Sequence, residues 1–231
     1  LLYQLVSQAF QPIFLKVYAA GDKKNLLKQL EIAMKTSGFI SGIFFVGFVI
    51  LGEPFYHLWI PDQNIKKIYA LTVITLLSYL LEGIVGPLYY IYTLTIKNKI
   101  PCIITVISGL LNVAAKFILL RTTNWGAFAV VMTTALIMVF INLVPNPLYM
   151  SYCLKVKWNQ FYPAIIRYIL FVIVDIGVLK FLFANNIVVS WTSIISFGIL
   201  ICLISGMLYF IIALNKYEKK LIIDLIKRMK R

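Results

Sequence analysis

Long apolar stretches separated by short polar segments dominate the pattern of this sequence. An α-helix needs about 20 residues to cross a hydrocarbon core about 30 Å thick. Six apolar stretches reach that length, at residues 31–52, 68–92, 100–120, 125–150, 162–184 and 191–214. Their apolar positions run continuously instead of alternating, which favours helices over the strands of a membrane barrel. The pattern predicts an all-α fold, a polytopic membrane helix bundle with six transmembrane helices.

The start and the end of the chain differ from these six stretches. Residues 1–14 are apolar but too short to span, and they lack the basic start and the cleavage site of a signal peptide. We interpret residues 1–20 as the end of a truncated transmembrane helix and the start of a cytoplasmic loop. The chain is thus expected to be the C-terminal part of a longer protein. A six-helix lobe over 21–214 and a basic amphipathic cytoplasmic tail over 215–231 complete the predicted division.

Local signals predict how the helices are joined. Between residues 15 and 35, apolar side chains lie at helical spacing opposite lysines, which suits a separate helix at the membrane interface. Residues 52–62 are rich in aromatic residues and proline, which indicates a surface hairpin at the outer interface. The short segment 121–124 predicts an antiparallel helix hairpin, and the Pro145-Asn146-Pro147 sequence predicts a kink or break.

Composition and charge support membrane insertion. The hydrophobic fraction is 61% and the mean hydropathy is +0.92, whereas water-soluble domains are about 45–50% apolar. The net charge of +14 comes mainly from Lys and Arg in every second loop. The positive-inside rule then places the segment near residue 22 and the C-terminus in the cytoplasm, and this distribution argues against nucleic-acid binding. The three cysteines form no CxxC pair and predict neither a disulfide framework nor a zinc site.

One face of the second stretch carries polar groups where lipid would penalise them. The spacing of three and four residues aligns Thr72, Thr75, Tyr79, Glu82 and Gly86. A charge in mid-span costs about 2.5–3.5 kcal/mol on insertion scales, so intramembrane acids are commonly functional. We therefore favour Glu82 as part of an ion or substrate site. The alternative is a carboxyl group that is simply protonated or bonded to a neighbouring helix.

The same helix contains residues that weaken it directly after the acid. Pro87 removes a backbone hydrogen bond, and Gly83 and Gly86 allow the helix to open. Transporters commonly build their sites beside such interrupted helices near the middle of the membrane. Gly83, Gly86 and Pro87 are therefore predicted to form a hinge.

Two further stretches carry charged or amide groups. Asn112 and Lys116 share a helical face, which suits an anionic headgroup; equally, Lys116 extends to the interface and Asn112 bonds between helices. Arg167 is near the cytoplasmic surface, where extension to the interface is favoured. Asp175 is deeper and either pairs with Lys116 or Arg121 or takes part in proton coupling.

Enzymatic chemistry has little support in the sequence. His57 stands without a second His or Cys nearby, and zinc needs three or four ligands. No glycine-rich phosphate loop, nucleophile elbow or paired-carboxylate motif is present in the chain. We expect neither enzymatic activity, nor a cofactor, nor a metal site.

Six short motifs are spread along the chain, at Phe10-x-Pro12, Lys16-x-Tyr18-Ala19-x-Gly21-Asp22, Gly52-Glu53-x-Phe55, Leu58-Trp59-Ile60, Asn112-x-x-x-Lys116 and Gly126-Ala127-x-Ala129. They resemble segments of bacterial polysaccharide flippases of the O-antigen and capsule type. These transporters belong to the multidrug/oligosaccharidyl-lipid/polysaccharide exporter superfamily. Each motif is loose, but together they extend over most of the chain. The resemblance implies the second lobe of a MATE-like transporter with about twelve helices.

The resemblance also implies a function. The cargo would be an undecaprenyl-pyrophosphate-linked oligosaccharide, moved to the outer leaflet of the bacterial inner membrane by ion-coupled alternating access. Lys116 and Arg121 would bind the pyrophosphate, with Asn112 and Tyr79 in the same cavity. Glu82 and Asp175 would couple transport to protons or sodium. The implied partners are this lipid-linked cargo, membrane lipids and the N-terminal lobe of the same protein.

Two alternatives remain open at the level of sequence. A multidrug or cation antiporter of the same fold would require exposed acids for cationic cargo, whereas basic cavity residues favour an anionic one. A chain without transport activity, such as an inactive truncated fragment or a subunit that only binds a partner, is the other alternative.

Overall fold

A computed structural model describes residues 2–183, 190–215 and 218–219 of the chain. Within this part the fold is helical throughout, with one 3-10 turn at Gly86–Tyr89 and no strand. The helices are α1 (Leu2–Ala9), α2 (Gln11–Ala19), α3 (Lys23–Trp59), α4 (Ile65–Val85), α5 (Tyr90–Thr95), α6 (Lys99–Thr122), α7 (Ala127–Leu143), α8 (Pro145–Cys153), α9 (Tyr162–Phe183) and α10 (Trp191–Ile212). Most of the predicted tail over 215–231 lies outside the described residues.

The helical bundle confirms the predicted fold class. Five segments of the described chain are long and apolar enough to cross a membrane, namely Lys23–Trp59, Ile65–Thr95, Lys99–Thr122, Ala127–Cys153 and Trp191–Ile212. The chain is therefore a polytopic, multi-pass membrane protein. The remaining predicted stretch, 162–184, forms α9, a 22-residue helix that carries Arg167, Asp175 and Lys180. Its crossing of the membrane stays a prediction.

The prediction of a separate interfacial helix before the first span is wrong. Helix α3 runs unbroken for 37 residues from Lys23, and the Asp22 carboxylate accepts a hydrogen bond from the Asn25 backbone at its start. The apolar face that was assigned to the membrane surface is buried in protein, since Leu26 and Leu30 are almost fully enclosed. Packing against neighbouring helices therefore replaces the lipid contact that the sequence indicated.

The predicted outer hairpin at residues 52–62 is also largely helix. Helix α3 continues through Pro54 to Trp59, and only five residues separate it from α4. Contacts of Tyr56 support this extension. Its ring centroid lies 5.8 Å from that of Phe48, and its hydroxyl shares a 2.8 Å hydrogen bond with the hydroxyl of Thr72. The side chain of Asn64 then caps α4 by accepting from the Lys67 backbone.

Helix α3 is the centre of the bundle and packs against α1, α2, α4, α9 and α10. Two glycines permit its close contacts. A Cβ at Gly38 would lie 3.2 Å from Ile84, and one at Gly42 would lie 3.3 Å from Phe171 and Tyr168. The core is thus built around the membrane-spanning part of α3.

Gly83 makes the closest of these helix contacts, and its replacement gives a direct test. A Cβ there would overlap the side chain of Ser41 on α3. We expect Gly83→Ala to destabilise the purified protein by about 1–3 kcal/mol, as overpacking does. Thermal unfolding in detergent measures this effect. Gly109→Ala is the matched control, because a Cβ at Gly109 meets open space; an equal loss in both variants would contradict the packing role.

The two remaining local predictions are confirmed. Helices α6 and α7 pack together as an antiparallel hairpin, with Gly126 at a φ of 55° in the turn. Helix α7 ends at Leu143, and Val144 leaves helical geometry with φ −116° and ψ −77° before Pro145 begins α8. A proline suits the first position of a helix, because a backbone N–H at that position would have no helical carbonyl to bond.

Candidate functional site

Two clefts meet at Glu82, and together they form what we call the Glu82 groove. The first cleft, about 180 Å³, lies between α4 and α7 and is lined by Thr75, Ser78, Tyr79, Glu82, Val130, Val131, Thr134 and Met138. The second, about 410 Å³, lies beside α1 and is lined by Gln4, Ser7, Gln8, Glu82, Gly86, Tyr89, Tyr90 and Thr93. Glu82 is the residue that both clefts share.

The groove follows the polar face that the sequence predicted on α4. At 1.5 Å per residue, the segment from Thr75 to Thr93 is about 27 Å long if fully helical, close to the thickness of a hydrocarbon core. The Thr75 hydroxyl donates to the Leu71 carbonyl at 2.8 Å, and Thr134 bonds its own helix in the same way. These hydroxyl groups are therefore satisfied by their own backbones and can face an apolar environment.

Glu82 is half-buried and has a weak neutral partner. The Gln4 side-chain amide donates to its Oε1 at 3.4 Å. Within the described residues, no Lys or Arg comes within ion-pair distance of this carboxyl group. The groove therefore holds an acid in the last turn of α4, near the middle of the apolar segment Ile65–Thr95, that no described cation neutralises.

The other residues predicted for the cavity are only partly brought together. Tyr79 lies in the same cleft as Glu82. Asn112 is one step removed, because its side-chain amide contacts Thr134 of that cleft at 3.5 Å. Lys116 lies one turn further along α6, and Arg121 is exposed with its guanidinium 4.2 Å from the ring of Phe117. Neither cation lines the groove.

The predicted hinge coincides with a change of helix type. Helix α4 ends at Val85, and Gly86 and Pro87 begin the 3-10 turn that leads into α5. Since Pro87 has no N–H, the carbonyl of Gly83 lacks its usual helical donor. The Ser37 hydroxyl of α3 supplies one at 2.6 Å. Sequence reasoning missed Ser37, whose role follows only from the packing of α3 on α4.

A second interrupted helix lies beside the first. The Tyr89 hydroxyl donates to Asn142 Oδ1 at 2.8 Å and accepts from the Asn146 amide at 3.0 Å. Both asparagines are almost fully buried. Pro147 leaves the Leu143 carbonyl without its helical donor, and the Tyr162 hydroxyl donates to it at 2.9 Å. Asn146 between two prolines, with Asn142 one turn before it in an apolar stretch, was the signal available in the sequence.

A buried charge cluster joins the predicted cytoplasmic ends of α3, α9 and α10. The Lys35 ammonium is 2.7 Å from Glu31 and 2.9 Å from Glu218, and its side chain is only 4% exposed. The Asn215 amide donates to Glu31, and Arg167 donates to Asn215 at 2.7 Å. Sequence reasoning missed this cluster, although the spacing of four residues between Glu31 and Lys35 was visible in the sequence.

Asp175 is fully buried between α9 and α10, and the pairing considered for it is not formed. In the part of the chain that the structure describes, it makes no ion pair with Lys116 or Arg121. The Ser205 hydroxyl is its polar neighbour. Asp175 lies apart from the Glu82 groove and is not among the residues that line it.

Comparison with known proteins gives one informative similarity. The chain is 24% identical over 230 residues to the "Uncharacterized membrane protein EpsK" of Bacillus subtilis (strain 168). The match includes 97% of this chain but 44% of that protein, so the chain spans less than half the length of this relative. No protein-family model and no solved structure matches the chain. The similarity to a membrane protein over nearly the whole chain agrees with the helical bundle.

Proposed function

We propose that this chain forms one lobe of a transporter that moves an undecaprenyl-pyrophosphate-linked oligosaccharide from the inner to the outer leaflet. The observation that carries this proposal is the Glu82 groove, which places an acid without a cationic partner among the described residues between two clefts and next to a helix break. Interrupted helices with an acid near the middle of the membrane are typical transporter sites. The segment beside the groove, about 27 Å if fully helical, is close to the thickness of a hydrocarbon core.

The chemistry of the groove lining supports a carbohydrate cargo. Apart from Glu82, the polar groups that line its second cleft are neutral, and they include the Gln4 and Gln8 amides and the Thr93 hydroxyl. Sugar hydroxyls need such groups, and tyrosine rings provide apolar area beside a polar tip. Ion coupling is assigned to Glu82 and Asp175, with Gly83, Gly86 and Pro87 as the hinge.

The pyrophosphate is assigned to α6. Lys116 and Arg121 lie on this helix, which packs against the groove-lining helix α7 and contacts Thr134 through Asn112. We expect Lys116→Ala to reduce transport of a pyrophosphate-linked cargo several-fold, measured in vesicles that contain the full-length protein. Lys66→Ala, an exposed lysine near the predicted outer loop, is the control. Unchanged transport in Lys116→Ala would favour simple extension of the lysine to the interface.

The proposal also assigns this chain a place in the longer protein and an orientation in the membrane. The match to 44% of a longer membrane protein is what one lobe of a larger transporter would give, and we assign this chain to the second lobe, joined to an N-terminal lobe of the same protein. Loop charges support a cytoplasmic C-terminus in the bacterial inner membrane.

A second candidate, a cation antiporter of the same fold, is favoured by one observation. Among the described residues, the lining of the groove contains an acid and no Lys or Arg. Such a site attracts a cationic cargo more readily than a pyrophosphate.

One experiment separates the two functions. The full-length protein that contains this chain is expressed in cells lacking their polysaccharide flippase, and lipid-linked sugar at the outer leaflet is scored. Efflux of a cationic dye is measured in the same cells. Restoration of surface sugar without dye efflux supports the flippase. Dye efflux without restored sugar, from a protein shown to be inserted in the membrane, overturns it in favour of the antiporter.

A further inference from the structure

Three of the membrane-crossing segments end at one small cavity, which we call the boundary cavity. It has a volume of about 280 Å³, and its lining includes Lys23, Thr95 and Cys153, each the end residue of one of these segments. Because an apolar segment ends where the hydrocarbon core ends, the boundary cavity lies at the level of the lipid headgroups. It shares no lining residue with the Glu82 groove.

The boundary cavity is apolar in its buried part and basic in its exposed part. Leu26 and Leu154 belong to the lining and are only 1% and 6% exposed. The lining also contains Lys23, from the start of α3, and Lys155, from the loop after α8, and both are exposed. A phospholipid at the membrane boundary has the matching arrangement, with apolar chains on one side of a charged phosphate.

The positive charge of this lining is not neutralised within the described residues. Asp22 is the acid of the lining, and its carboxylate accepts a hydrogen bond from the Asn25 backbone at 2.9 Å. The Lys23 ammonium donates to the Lys155 backbone carbonyl at 2.7 Å, which is a neutral acceptor. In the part of the chain that the structure describes, neither Lys23 nor Lys155 forms an ion pair with a carboxylate. The exposed part of the cavity therefore favours an anion.

Two residues with left-handed backbone geometry flank the boundary cavity. Lys155 has a φ of 52°, and Ile96, which follows Thr95 of the lining, has a φ of 55°. No other non-glycine residue of the described chain has a positive φ. Glycine adopts this geometry more easily, so a lysine there indicates that its side chain has a role beyond the turn. The side chain of Ile96 is 87% exposed at the end of a membrane-crossing segment, where lipid would cover it.

We propose that the boundary cavity binds the phosphate group of an anionic phospholipid, with Lys23 and Lys155 as its cationic ligands. Lysine binds phosphate as a point charge, and basic pockets between membrane helices bind anionic headgroups. The Tyr18 hydroxyl, in the same lining, can donate a further hydrogen bond. A lipid-borne phosphate is favoured over a dissolved phosphate ion, because only the lipid also covers the apolar part of the cavity. The site is independent of the proposed cargo, whose pyrophosphate is assigned to α6.

Photocrosslinking locates a bound lipid without any cargo. The full-length protein that contains this chain is held in detergent micelles with phosphatidylglycerol that carries a photoreactive group beside its headgroup. Peptide mass spectrometry should find the label in residues 18–26 and 153–155, which contain most of the cavity lining. Unlabelled phosphatidylglycerol should compete at least about tenfold more effectively than zwitterionic phosphatidylcholine, because each lysine adds to the binding of an anionic headgroup.

Single substitutions test the two cationic ligands. Lys23→Gln and Lys155→Gln should each reduce this labelling about fivefold, whereas Lys155→Arg, which keeps the charge, should retain it. Lys24→Gln and Lys157→Gln remove the same charge from exposed lysines just outside the lining, and their labelling should stay close to that of the parent. Lys155→Gln is the decisive variant, because it keeps the backbone carbonyl that Lys23 binds. Its melting temperature should therefore match that of the parent.

Three outcomes would overturn the proposal. Equal losses of labelling in Lys155→Gln and Lys157→Gln would show that diffuse surface charge attracts the lipid. Equal competition by phosphatidylcholine would remove the preference for an anionic headgroup. Inhibition by inorganic phosphate, at the concentrations at which phosphatidylglycerol competes, would reassign the cavity to a dissolved anion. Because no transport is measured, each of these outcomes is distinct from failure of the flippase assignment.

Discussion

Glu82→Gln is expected to reduce ion-driven transport at least about tenfold while the protein remains folded in the membrane. The substitution keeps the size of the side chain and its contact with Gln4, but it removes the ionisable group at the junction of the two clefts. A coupling acid acts by changing charge, so its amide cannot take part in coupling. Uptake of lipid-linked cargo into vesicles, measured across a range of pH gradients, tests this expectation.

The control for Glu82→Gln is an acid outside the groove. Glu53 lies near the end of α3 and lines neither cleft. The Glu53→Gln variant is therefore expected to transport cargo as the parent does. A melting temperature close to that of the parent would show that Glu82→Gln folds normally. Equal transport by Glu82→Gln and the parent at every pH would remove Glu82 from the coupling mechanism.

Lys35→Met should cause the largest loss of stability among these variants. It leaves the Glu31 and Glu218 carboxylates together without their shared cation, of which Glu218 is the more buried. Breaking a buried ion pair from one side typically costs about 3–5 kcal/mol, and the partial exposure of Glu31 places this case toward the lower value. Thermal unfolding of the purified protein measures the loss.

A compensated variant separates charge from packing at this cluster. When Glu31→Gln and Glu218→Gln are added to Lys35→Met, no uncompensated carboxylate remains, and much of the stability should return. Lys66→Met, at an exposed position, should have little effect. If the triple variant is no more stable than Lys35→Met alone, the cluster stabilises the protein by packing and not by charge.

The helices could be predicted from the sequence because their hydrophobic length is a local property. The ends of α3 could not, since its continuation beyond both predicted limits depends on neighbours. Leu30 is buried by other helices, and Tyr56 bonds to Thr72 across the turn. Neither contact leaves a signal within a window of a few residues, whereas the prolines in the first turn of α8 act locally and were interpreted correctly.

In the candidate site, too, the features set by local sequence were predictable and those set by helix packing were not. The face that joins Tyr79 to Glu82 follows from helical periodicity alone. The separation of Lys116 and Arg121 from the groove depends on how α6 packs, and the burial of Lys35 depends on a partner 183 residues away. Ser205 gave no signal in the sequence, because one serine in an apolar helix is unremarkable until its neighbour is known.

Two hydroxyl groups affect how the helix breaks can move, because they donate to the carbonyls that Pro87 and Pro147 leave without a backbone donor. Within a regular helix, each carbonyl is bound by a backbone N–H that cannot move away without unwinding a turn. At Gly83 and Leu143 the donors are instead the side chains of Ser37 and Tyr162, which belong to other helices. A hydroxyl can rotate and follow its acceptor. Both helix breaks can therefore change their angle without leaving these two carbonyls unbonded and without unwinding a turn of helix.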